Sequence, residues 1–94
     1  MEVLPLDSTR KQELMEAFKK GLPLLTDAER YTLFLSYYEE LTPEEVMLVL
    51  EISGMEYQKL LANAKTKMRA FTDIFDLIDK KFGTKTVPEG LLFR

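Results

Sequence analysis

Two short patterns, Thr42-Pro-Glu-Glu45 and Ser53-Gly-Met-Glu56, stand eleven residues apart in the middle of this chain and dictate its local structure. In each, a hydroxyl can accept from the backbone N–H three residues on, while the glutamate reaches back to the N–H of the hydroxyl residue itself. Each is the start of a helix, and Pro43 fits the first helical position, where its missing N–H costs nothing. Between the two starts there is room for one helix of about two turns and a tight connection. That is the outline of a helix-turn-helix.

The same logic extends outward. Asp7 and Ser8 are cap candidates for a helix over 8–20, with Leu14, Met15 and Phe18 as its apolar side and Gly21 as its stop. Thr26-Asp-Ala-Glu29 is a third capping box, preceded by Leu25 as a staple, and opens a helix over 27–40 with its stripe at Leu33, Phe34, Tyr37 and Tyr38. The short helix over 43–50 is expected to bury Val46, Val49 and Leu50, with Ile52 plugging the turn. From Met55 the large side chains Tyr57, Leu60, Leu61, Ala64, Met68, Phe71, Ile74, Phe75, Ile78 and Phe82 step by three or four. This pattern suits one long helix, or a helix over 54–70 and a second over 72–82 recapped at Thr72 or Asp73, which is more usual in a small domain. The fold class predicted is all-α, a small bundle of five helices, with a tail whose Leu91, Leu92 and Phe93 return to the core. At 94 residues the chain suffices for one folded unit.

Cysteine and histidine are both absent, which removes disulfides, thiolate metal sites, the commonest general base and the commonest transition-metal ligand. Glu44 and Glu45 resemble a catalytic carboxylate pair, but neighbouring helical positions project about 100° apart and Glu45 serves as a cap. Asp73, Asp76 and Asp79 line one helix side, which reads as a solvated face beside Lys80 rather than a cation site. Neither an enzyme nor a cofactor is expected. The chain is 46% hydrophobic with no run approaching the roughly eighteen apolar residues of a membrane span, and "MEVLPLDSTR" lacks the basic and apolar regions of a signal peptide. A cytoplasmic protein is the expectation.

The net charge of −3 is unevenly laid out. Residues 1–54 hold 5 basic and 11 acidic groups, whereas residues 55–70 hold Lys59, Lys65, Lys67 and Arg69 against Glu56 alone. The second helix of the central pair is the one basic segment.

From Leu25 to about Met68 the chain resembles region 4 of the sigma-70 family of bacterial sigma factors, the domain that recognises the promoter −35 element. The residues carrying the resemblance are Leu25, Glu29, Arg30, Leu33, Leu35, Tyr37, Tyr38, Glu39, Leu41, Thr42, Glu44, Glu45 and Val46, then Ile52, Ser53, Ala64, Lys67 and Met68. The YlxM-like small helix-turn-helix proteins share the pattern and are a close variant. The resemblance implies residues 1–24 as an N-terminal helix and linker, 25–70 as the sigma region 4-like unit and 71–94 as a C-terminal helix and tail. It departs from the family at Met47, where a small residue is usual, at Glu51, where glycine allows positive φ, and at Tyr57, where Val or Ile is usual. Glu51 in a left-handed turn would cost on the order of 1 kcal/mol.

In that family the first two turns of the second helix enter the major groove, where forked donors distinguish base edges. With Tyr57, Leu61, Ala64 and Met68 inward, helical geometry turns Met55, Lys59, Ala62, Thr66 and Arg69 outward, flanked by Gln58 and Asn63. The family's often basic early positions are here Gly54, Met55 and Glu56, leaving Gln58, Lys59 and Asn63 as base readers. Thr42, Lys65, Lys67 and Arg69 are the phosphate contacts, and three or four of these fall short of the roughly six to ten that give tight binding. The implied partners are promoter DNA, bound weakly, and the β flap of RNA polymerase. The rival expectation is a protein-interaction module that has lost DNA reading and engages a polymerase subunit, an anti-sigma factor or itself. Its interaction stripe would be Phe71, Ile74, Phe75, Ile78 and Phe82, packed either on the N-terminal helix at Leu14 and Phe18 or in a homodimer seam.

Overall fold

The computed structural model describes residues 8–92, with side chains from 11 to 90. It is all-α, with no strand among the described residues: α1 (Ser8–Gly21), a 3₁₀ turn (Leu22–Leu24), α2 (Asp27–Leu33) running into a π turn (Phe34–Tyr38), α3 (Pro43–Leu50), α4 (Gly54–Met68), α5 (Ile74–Phe82) and a single final turn, α6 (Glu89–Leu92). The cap candidate Asp7 and the returning tail residues Leu91, Leu92 and Phe93 lie outside the described side chains.

All three capping boxes form as the residue types require. Thr26, Thr42 and Ser53 accept from the N–H of Glu29, Glu45 and Glu56, and each glutamate accepts in return from the cap residue's N–H. The helix stops are less ordinary. Glu40 and Glu51 both take left-handed backbone, with φ of 60° and 57°. Each is followed by an apolar residue whose N–H reaches back six residues inclusive or more, Leu41 to the Leu35 carbonyl and Ile52 to that of Met47, at 3.0 and 3.1 Å. This back-bonding satisfies carbonyls at the helix ends and tucks Leu41 and Ile52 against the core. The left-handed Glu51 expected from the sequence is present. Glu51→Gly is therefore expected to raise stability by about 0.5–1 kcal/mol, read as an upward shift of the urea midpoint; an unchanged or lowered midpoint would show that the turn carries no such strain.

Packing centres on α4, which lies against α1, α2, α3 and α6. Its inward residues Tyr57, Leu61, Ala64 and Met68 are all buried, as the spacing predicts. The polar end of the buried Tyr57 is accommodated by a 3.0 Å hydrogen bond between its hydroxyl and that of Ser36. Gly21 brings α1 close to α4, since a Cβ there would sit 2.1 Å from Met68 Sδ. The continuous-helix option fails at residues 69–73, and α5 begins with the Ile74 N–H donating to Thr72 Oγ1 at 3.1 Å.

Two apolar assignments are corrected. In α3 the buried side is Val46 with Met47 and Leu50 packed partly against the core, which leaves Val49 about 100° from the centre of that side and exposed. In α1 the inner side is Leu14, Ala17 and Phe18, and Met15 falls at its edge. The radius of gyration, 13.0 Å, is that of one compact unit of this length, roughly 12–13 Å.

Candidate nucleic-acid interface

α4 presents the face that helical geometry assigns to it. Met55, Gln58, Lys59, Ala62, Asn63 and Thr66 are all exposed, and among the described residues no side-chain hydrogen bond engages Gln58, Lys59 or Asn63. The three base-reading candidates thus stand together on one open surface.

The phosphate candidates do not. Lys65 turns inward onto Asp79 of α5, the two side chains being 12% and 10% exposed. The other oxygen of Asp79 accepts from the Tyr37 hydroxyl at 2.6 Å, and Lys85 lies 5.4 Å from the Tyr37 ring centre. Burial and the hydrogen bond to Asp79 push the Tyr37 phenol far above its ordinary range, so it stays a donor. Lys67 bonds Glu29 of α2 at 2.8 Å, where the same carboxylate oxygen caps Thr26. Arg69, just beyond α4, lays its Nε and Nη2 side by side on Asp76 of α5, both at 3.0 Å. Thr42 has its hydroxyl oxygen occupied by the Glu45 N–H at 3.2 Å. Each of the three cations expected on DNA phosphates is thus joined to a carboxylate of its own chain.

The same contacts correct the reading of Asp73, Asp76 and Asp79 as a solvated face, because Asp76 and Asp79 are the anchors for Arg69 and Lys65. They also make the fold acid-sensitive. Burial alone would raise the Glu29 carboxyl, but bonds from Lys67 and the Thr26 N–H outweigh it and hold the group below its usual value. The Arg69 fork holds Asp76 low as well. A depressed carboxyl lends stability that is complete above the unfolded-chain value of about 4 and drains as pH falls through the lower folded-state value. The thermal midpoint is expected to fall as pH drops below about 4, with a shallower decline in Asp76→Asn; an equal decline in that variant would contradict the assignment.

The interaction stripe is divided. Ile74, Phe75 and Ile78 are buried, with Phe75 edge-on to Phe18 at 5.8 Å and to Tyr37 at 5.1 Å, so the stripe packs on the N-terminal helix as one of the two expected arrangements has it. Only Phe71 and Phe82 remain substantially exposed. Tyr37 is a core member, and Tyr38, partly buried, packs against the core and stacks on Phe34 at 4.8 Å. Sequence reading missed the exposure of Leu48 and Val49 on α3, which with the outward Met55 of α4 form a different apolar surface, exposed by 80%, 58% and 58%. Their run of neighbours Glu44, Glu45, Glu51 and Glu56 was the available signal, since four acids around three apolar residues do not make a core.

Among the described residues no helix is long and apolar enough to cross a membrane. No family model, curated protein or solved structure matches the chain.

Proposed function

We propose that this chain is a transcription-associated helix-turn-helix module, resembling sigma factor region 4 and working in the cytoplasm, that acts by contact with another protein rather than by gripping DNA. The observation that carries this reading is the internal engagement of Lys65, Lys67 and Arg69 by Asp79, Glu29 and Asp76. A DNA-binding domain of this size depends on cations held out toward phosphates, and moving these three outward would break the links that tie α4 to α2 and α5. The exposed apolar Leu48, Val49 and Met55 occupy the end of the α3–α4 pair where a groove-reading surface would be polar and basic. The partner implied by the resemblance is the β flap of RNA polymerase, and an anti-sigma factor is the partner that the interaction-module reading adds.

One observation favours the second reading, weak promoter binding: Gln58, Lys59 and Asn63 remain exposed and unoccupied on α4. The two readings separate when the immobilised full chain is presented with the isolated β flap domain and, separately, with −35-containing duplex at matched concentrations. Saturable binding to the flap without saturable binding to the duplex is expected; the reverse result would replace protein contact with DNA reading.

A further inference from the structure

Two exposed apolar patches of opposite rim charge lie on this chain. The first is the knob at the α3–α4 junction. Helical spacing sets Glu44 one turn before Leu48 and Glu45 one turn before Val49, while Glu51 follows in the turn that ends α3 and Glu56 follows Met55; all four acids are exposed. No basic residue occurs between Arg30 and Lys59, so nothing in this stretch of chain offsets them. The second patch is a groove between α1 and α2 of about 310 Å³, walled by Met15, Phe18, Leu22, Tyr31 and Phe34. The charged side chains lining it, among the described residues, are Lys19 and Arg30. Arg30 is half used: its Nη2 holds Asp27, while its Nε is buried without a partner.

An exposed apolar knob surrounded by acids and an apolar groove lined by Lys19 and by Arg30, the latter shared with Asp27, are complementary in charge. Contiguous exposed apolar surface marks an interaction site, and charge complementarity selects its partner. We propose that the knob of one copy docks in the groove of the next, placing Leu48 among Phe18, Tyr31 and Phe34 and bringing Glu44 and Glu51 toward Lys19 and Arg30. Because the two surfaces differ, the contact is head-to-tail and leaves a free knob at one end and a free groove at the other. The inference rests on the protein-contact reading and names a second copy as one occupant of the apolar surface.

Sedimentation velocity of the full chain over a concentration series is the test, with two variants at exposed positions, Leu48→Glu and Tyr31→Glu, whose folding is checked by circular dichroism. In low salt the native chain is expected to pass beyond dimer as concentration rises, and to return toward monomer at about 0.5 M salt, where a Debye length of roughly 4 Å screens the rims. Each variant alone sediments as a monomer. Their equimolar mixture forms a complex of two chains and stops there, since one intact knob meets one intact groove. A native chain that stays monomeric at every concentration, a dimer plateau, or a mixture that remains monomeric overturns head-to-tail docking. If the chain binds the β flap yet never self-associates, the protein-contact reading stands while this inference falls.

Discussion

Asp79→Ala is expected to lower the unfolding free energy by about 3–5 kcal/mol, the range for breaking a buried ion pair from one side. Asp79 receives Lys65 on one oxygen and the Tyr37 hydroxyl on the other, and both its own side chain and that of Lys65 are about nine-tenths buried. Removing the carboxylate leaves an ammonium without its hydrogen-bonded counter-charge and a phenol without its acceptor, in a place where water reaches neither freely. The loss belongs to the abandoned partners more than to the pair itself. Accordingly, Lys65→Met combined with Asp79→Ala is expected to lose less than Asp79→Ala alone, because the double change removes the stranded charge. Urea unfolding of the three proteins measures this. Equal losses in the single and double variants would mean that Lys65 finds water when Asp79 is gone.

Phe75→Ala is expected to cost a similar amount, about 3–5 kcal/mol, through the cavity it leaves. Phe75 is fully enclosed and its ring meets those of Phe18 from α1 and Tyr37 from the π turn, so it is the point at which the C-terminal helix closes on the N-terminal one. Phe82→Ala, at the open end of the same stripe, is expected to change stability by less than about 1 kcal/mol. The contrast in urea midpoints distinguishes a packed stripe from a homodimer seam, in which Phe82 would count for as much as Phe75 and the midpoints would depend on protein concentration.

What could be read ahead of the structure was whatever short-range chemistry determines. Three capping boxes placed the starts of α2, α3 and α4, and the left-handed turn at Glu51 was legible through the resemblance, which has glycine at that position. Glu40 was not foreseen, because nothing near it marks a left-handed residue; it is held there by the Leu41 bond back to Leu35 and by a π turn whose extra residue leaves no local trace. The inward side of α4 is legible because fifteen residues at one period define a stripe, whereas the eight residues of α3 leave the position of Val49 open, since two turns do not fix a face. The exposed base-reading candidates followed from that same α4 periodicity. The fate of the cations did not: Lys65, Lys67 and Arg69 meet acids 14, 38 and 7 residues away, and only tertiary packing makes those meetings.

The proposal that α4 has exchanged DNA binding for protein contact turns on those three links, and the salt dependence of DNA affinity addresses them directly. Fluorescence anisotropy of the native chain with promoter and scrambled duplexes, across a salt series, gives the number of phosphates neutralised from the slope of log affinity against log salt, about 0.9 per contact. With Lys59 the one cation standing free on the α4 face, the expected slope is no steeper than about −1, with affinity weak even in low salt and the same for both duplexes. A slope near −3 or steeper, with preference for the promoter duplex, would mean that Lys65, Lys67 and Arg69 leave their carboxylates for the DNA backbone, and would contradict the account.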